Sequence, residues 1–217
     1  MLPFSADVLA SLLARYNSAL WPAPLAALVL LTGVLGLALQ RAEAAGRIAA
    51  LTLAAGWAWT GIAFHAATFA SLNFAAPIYA VLFVVQAVLL VWTGAVRDAM
   101  PLARPQGPAE AAGLGLAVIA LAGWPLLALG SRQGLAAAAV GGVAPDPTAL
   151  FTLGVLLLMR GRTPWHLAAL PIAWSFAGGA TAWALGGGPA TLQALAGLAA
   201  IPLIYLKNRR VRQGLPG

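Results

Sequence analysis

Cysteine is absent from this chain of 217 residues, and the acids number five and the histidines two. Each scarcity closes off some chemistry. Without cysteine there is no disulfide, no thiolate nucleophile and no Cys-bound zinc or iron–sulfur centre, and the redox compartment cannot be read from thiol usage. With so few acids and histidines scattered along the chain, a base, a nucleophile and a metal-ligand set are hard to assemble, so an enzyme is the less favoured reading. No metal and no cofactor is predicted. Charged residues of both signs make up 8% of the chain, against about 25% in soluble domains. The net charge of +7 does not point to nucleic acid, because no basic domain carries interleaved aromatics for stacking bases.

What the chain has instead is hydrocarbon. Hydrophobic residues make up 62%, with 24 Gly and 15 Pro, where a soluble domain has about 45–50% apolar residues. The apolar runs are of the length that crosses a bilayer as a helix, about 20 residues with a range of about 17–25. The fold class predicted is all-α: a polytopic transmembrane helical bundle of seven spans, preceded by an amphipathic interfacial helix. The spans are placed at 22–39, 48–69, 75–96, 111–130, 147–159, 165–185 and 189–206. The fifth, with 13 residues, reaches only about 20 Å against a core of about 30 Å. It needs a thin region, or help from 134–144 dipping in as a re-entrant segment shielded by protein.

At the start, Phe4, Val8, Leu9, Leu12, Leu13, Tyr16 and Leu20 recur at helical spacing. Ser5 is placed as N-cap and Trp21 as an interfacial anchor. Asp7 precedes any base and no unbroken apolar stretch follows, so no cleavable signal peptide is expected. Three regions result: 1–21 the interfacial helix, 22–206 the seven-span membrane domain and 207–217 a basic cytoplasmic tail. The long gap between the third and fourth spans holds Pro101, Pro105 and Pro108 and is expected to be an extended flexible loop.

The bases fix an orientation. Arg41, Arg47, Arg97, Arg104, Arg160, Arg162, Lys207, Arg209, Arg210 and Arg212 fall in alternate gaps and the tail, while only Arg15 and Arg132 fall on the other side. By the positive-inside rule, seven spans then put the N-terminus outside and the C-terminus in the cytoplasm of a cell inner (plasma) membrane. An even number of spans would separate the basic tail from the Arg-bearing gaps.

Polar side chains inside spans are costly and mark candidate sites. His65, near the outer end of the second span, reads either as a packing histidine bonded to a neighbouring carbonyl or as a ligand or proton site. Gln86, mid-span, reads as interhelical glue. Asp146, Pro147 and Thr148 read as N-cap, N1 and N2 of the fifth span, a helix start that also favours an anion. The small-residue run 175–182 reads as close helix packing. Trp59, Tyr79 and Trp183 read first as interfacial belt residues, and each is also able to line a pocket. A bis-imidazole haem is argued against by depth, His65 and His166 being expected at opposite faces, differing in height by roughly 20 Å or more. The only lysine, Lys207, lies beyond the last expected span, so a mid-membrane Schiff base is excluded. One glutamine does not make the full-depth polar stripe of a channel.

The chain resembles a bacterial membrane-protein family catalogued as domain of unknown function 6064. The likeness runs along most of the sequence: Leu2-Pro3-Phe4, Tyr16-Asn17 followed by Trp21-Pro22, Gly61 through His65, Asn73 with Pro77, Phe83 through Ala87, and Pro147-Thr148 leading into Phe151 through Gly154. In that family a cysteine often precedes the Pro-Thr step. Asp146 stands there in this chain, which removes a thiol or soft-metal role. The resemblance implies no activity, but it marks Asn17, His65, Asn73 and Thr148.

The functional expectation is a protein that binds or transports a small molecule or ion through an outward-facing pocket built from His65, Asn73, Asp146, Thr148 and Trp183. Its partners would be the lipid bilayer and that ligand. The rival reading is a membrane-embedded enzyme or an accessory subunit held by a membrane-protein partner through its small-residue faces.

Overall fold

In the computed structural model, which describes residues 3–214, the long apolar runs are all helical and no strand forms among those residues. Leu2 of the opening motif and 215–217 of the basic tail lie outside the described residues. Ser5 caps the first helix, α1 (Ala6–Ala19), its hydroxyl accepting from the Val8 N–H at 3.3 Å. Then follow α2 (Ala23–Gln40), α3 (Ala45–Trp59), α4 (Ala76–Leu90), α5 (Pro108–Ala128), α6 (Pro145–Leu157), α7 (Trp165–Ala184) and α8 (Gln193–Arg212). The last turns of α3 and α4 widen into π-helical geometry over Thr60–Ala66 and Val91–Val96.

Six helical stretches among the described residues are long and apolar enough to cross a membrane: Ala23–Gln40, Ala45–Ser71, Ala76–Val96, Pro108–Ala128, Trp165–Ala184 and Pro189–Arg212. The short α6 is different in kind. Every residue of it except Asp146 is buried, so protein rather than lipid surrounds it. Its first turn lies beside Trp174 and Gln193, and its last carbonyl is bonded by Lys207. Gln193 and Lys207 are 14 residues apart on α8, so α6 runs through about 20 Å of depth.

Glycine makes this central position accessible. A methyl group on Gly154 would come within 2.6 Å of the Gly113 carbonyl oxygen, and one on Gly113 within 2.8 Å of the Gly154 oxygen. The backbones of α5 and α6 therefore cross at the closest approach that small residues allow.

The two ends of the bundle differ. One carries α1 and the segment that leads into α6. There the Asn17 amide donates to the carbonyls of Ala136 and Ala138 at 2.9 and 2.8 Å. The Tyr16 hydroxyl donates to the Val143 carbonyl at 3.0 Å and accepts from Trp59 Nε1 at 3.0 Å. Burial pushes the Tyr16 phenol up to about 12, with the Trp59 bond pulling the other way. Gly142 reaches the backbone of Gly56, and Gly141 and Gly142 lie against Leu31 and Ala27, so the chain just before α6 packs against α2 and α3, while Leu135 earlier in the segment is exposed.

The opposite end is rich in arginine, and two expectations change there. The loop after α4 is extended but not free. Ala103 N–H donates to the Leu158 carbonyl at 3.2 Å and Arg160 N–H to that of Pro101 at 2.7 Å, and Met100 is 1% exposed. Buried apolar side chains and backbone bonds outweigh three prolines. Nor does the chain change character at residue 207. The α8 helix continues to Arg212, and Lys207 is buried because α6 ends with carbonyls that need donors. Its ammonium donates to Leu157 and Met159 at 2.5 and 2.6 Å and pairs with Glu110 at 3.1 Å.

Candidate functional site

At the α1 end a cavity of about 100 Å³ opens among five parts of the chain. Phe4, Leu9 and Leu13 roof it, the end of α3 contributes Phe64 and His65, and Asn73 and Tyr79 flank the start of α4. Pro145 and Asp146 come from the first turn of α6, and Trp174, Gly178 and Thr181 from one face of α7. For scale, an apolar cavity of ~150 Å³ holds benzene.

His65 sits at its back wall with no solvent exposure. Neither ring nitrogen has a hydrogen-bond partner. A buried imidazole always carries at least one N–H, and leaving it unmet costs about 1–3 kcal/mol. The ring is packed instead by aromatics: Phe83 at 4.6 Å between centroids, Trp174 at 5.0 Å, Phe64 at 5.3 Å and Tyr79 at 5.6 Å. The packing histidine expected to bond a neighbouring carbonyl is therefore not what is found.

Asp146 is tied to the same wall. Its Oδ1 accepts from Trp174 Nε1 at 2.9 Å, so one indole touches both His65 and the carboxylate. Gly178 is what lets α7 come this close, since a methyl there would lie 2.5 Å from Oδ1. The Gln193 amide donates to the Asp146 backbone carbonyl at 3.4 Å and leaves its own buried Oε1 without a partner.

Asp146 is not the cap of α6. The helix opens two residues earlier than expected, with Pro145 first and Ala144 as an N-cap that has no side-chain bond. Proline's fixed φ suits the first helical position, and the carboxylate in the first turn meets the positive end of the helix dipole.

Two other expected residues stand apart from this cavity. Thr148 is buried, its hydroxyl donating to the Ala144 carbonyl at 2.5 Å and accepting from the Gly142 N–H at 2.7 Å; it fixes the turn into α6. Trp183 is 76% exposed and does not line the cavity. Asn73 does line it, while its Oδ1 accepts from the Ala75 N–H at 2.9 Å to start α4. Sequence reasoning missed Trp174. The only signal was its position four residues before Gly178, one helical turn along the same face.

The second histidine lies elsewhere. His166 Nε2 is 3.1 Å from the Thr93 hydroxyl, towards the arginine-rich end. Eight residues separate it from Trp174 along α7, about 12 Å of rise. The histidines are thus closer in depth than the expected 20 Å, yet they belong to different surroundings. Among the described residues no group of three or more His, Cys, Asp and Glu is placed to hold a metal ion. Gln86 joins helices as its position suggested, its Nε2 donating to the Leu167 carbonyl at 2.8 Å.

Comparison with curated proteins and with solved structures returns no match. The sequence profile of a family of unknown function (DUF6064) does match, over residues 6–214, and the chain belongs to that family.

Proposed function

We propose that this chain is a multi-pass protein of the bacterial inner membrane that binds a small polar molecule or ion in the cavity at its α1 end. In this reading it crosses the bilayer seven times, with α6 as the short protein-encased crossing and α1 lying in the outer interface. The observation that carries the proposal is His65, buried with two unpartnered ring nitrogens on a cavity it shares with Asp146. Buried polar groups are almost always satisfied, and an orphan of this kind calls for a bound group. The lining favours a donor or a positive charge, since it offers one carboxylate, a ring nitrogen able to accept, and aromatic faces within reach of a cation.

The test is native mass spectrometry on protein purified in mild detergent, followed by titration of the molecule recovered. The wild type is expected to carry a small molecule or ion that His65→Ala and Asp146→Asn both lose at unchanged melting temperature. Recovery of no such species, or equal loss of melting temperature and binding in both variants, would leave the cavity as packing only. A stoichiometric partner chain in place of a small molecule would favour the accessory-subunit reading.

A further inference from the structure

A second cavity, of about 150 Å³, lies at the arginine-rich end where the loop after α4 meets α5 and α8. The pairing of 101–103 with 158–160 brings Arg104 and Arg160 to its rim, and the last turns of α8 add Arg210. Lys207 and Glu110 also line it but are spent on each other. Arg160 and Arg210 have no side-chain partner among the described residues, and Arg104 commits only its Nε, to the Leu39 carbonyl. Three arginines therefore line one cavity whose only acid, Glu110, is already paired with Lys207.

The start of α5 adds to this field. Pro108 and Glu110, in its first turn, line the cavity, and its N-cap Gly107 makes no side-chain bond. A long helix with an uncapped N-terminus offers free N–H groups and a positive dipole end. Guanidinium groups bind phosphate through paired N–H donors. The wall on the other side is apolar, formed by Leu203, Leu206 and Val211. From Leu206 an exposed apolar face continues down α8 through Leu198 and Leu195. A charged cradle at the head of an apolar strip matches an amphiphile better than a free anion.

We infer that this cavity binds the phosphate headgroup of an anionic phospholipid, with the acyl chains lying along α8. The inference does not depend on the cavity at the α1 end, but it does rest on the chain being embedded in a bilayer. Flotation with vesicles of purely zwitterionic lipid after an alkaline wash tests that embedding separately.

The decisive experiment is native mass spectrometry of the full chain delipidated in detergent and given phosphatidylglycerol or phosphatidylcholine. The wild type should retain phosphatidylglycerol preferentially. In the double variant Arg160→Gln, Arg210→Gln that preference should fall by on the order of tenfold or more, as two basic contacts to an anionic headgroup are lost. Arg132→Gln, at the other end of the bundle, should leave it intact. Unchanged preference in the double variant, or an equal fall with Arg132→Gln, overturns the site. Inorganic phosphate raising the melting temperature as much as phosphatidylglycerol does overturns the lipid in favour of a free anion. Should the double variant not be recovered, the wild type alone decides, because stabilisation by phosphatidylglycerol no greater than by phosphatidylcholine also overturns it.

Discussion

His65 holds a position where stability and access oppose each other. An unmet buried N–H costs about 1–3 kcal/mol, so a residue of similar bulk without polar atoms should fold at least as well. His65→Leu is expected to leave the detergent melting temperature unchanged or raised, while abolishing ligand retention; a fall in melting temperature of several degrees would instead make the imidazole a packing element. For Asp146→Asn the amide oxygen still accepts from Trp174 Nε1, so melting should hold while binding falls, measured by the same retention assay. That His65, Asn73 and Asp146 lie at a similar depth was legible in the sequence, because helical rise converts residue number into depth; that they line one cavity depended on how the helices pack. That Thr148 and Trp183 stand apart was not. Thr148 depended on α6 opening at Pro145, two residues early, and Trp183 on which face of α7 turns inward. Trp174, which bridges His65 and Asp146, offered no signal beyond its place one turn before Gly178 until α7 was packed.

At the scale of elements, α6 is the piece the sequence described least well. Its apolar run predicted a helix, but nothing in 13 residues says that protein will surround it on every side. The reason lies in distant residues: Gly113 opens α5 to its backbone, and Lys207 supplies donors to its final carbonyls. Lys207 is accordingly expected to matter far more than a tail lysine would. Lys207→Met leaves Glu110, whose side chain is 13% exposed, without its partner and the α6 carbonyls unmet, and breaking a buried pair costs about 3–5 kcal/mol, an upper figure here. The same loss should be partly recovered in Lys207→Met with Glu110→Gln, which removes the stranded charge. Thermal melting in detergent of the wild type, the single and the double variant closes the cycle. A single variant within 1 °C of the wild type would mean that the ion pair contributes nothing to holding α6 in place.

For the whole molecule the open quantity is how many times the chain crosses, and α6 decides it. Thirteen helical residues cover about 20 Å of a core of about 30 Å; the remainder falls to the segment before it and to the chain between Leu157 and Trp165. If α6 crosses, Arg132 and Arg162 lie on opposite sides of the membrane, and ten of the twelve bases lie on one side. If it does not, Arg132 and Arg162 share a side. The absence of cysteine makes the question directly measurable, because a single introduced thiol is the only one in the protein. In intact cells a membrane-impermeant maleimide should label Arg132→Cys and spare Arg41→Cys, Arg97→Cys and Arg162→Cys, all of which label after permeabilisation. Labelling of both Arg132→Cys and Arg162→Cys from outside would reduce the crossings to six and move the basic end of α8 across the membrane. It would also place Arg104 and Arg160 in different aqueous phases, although both line one cavity. In the proposed topology a short helix encased in protein lets charge, connectivity and bilayer thickness agree. The label on Arg162→Cys is the single measurement on which that agreement rests.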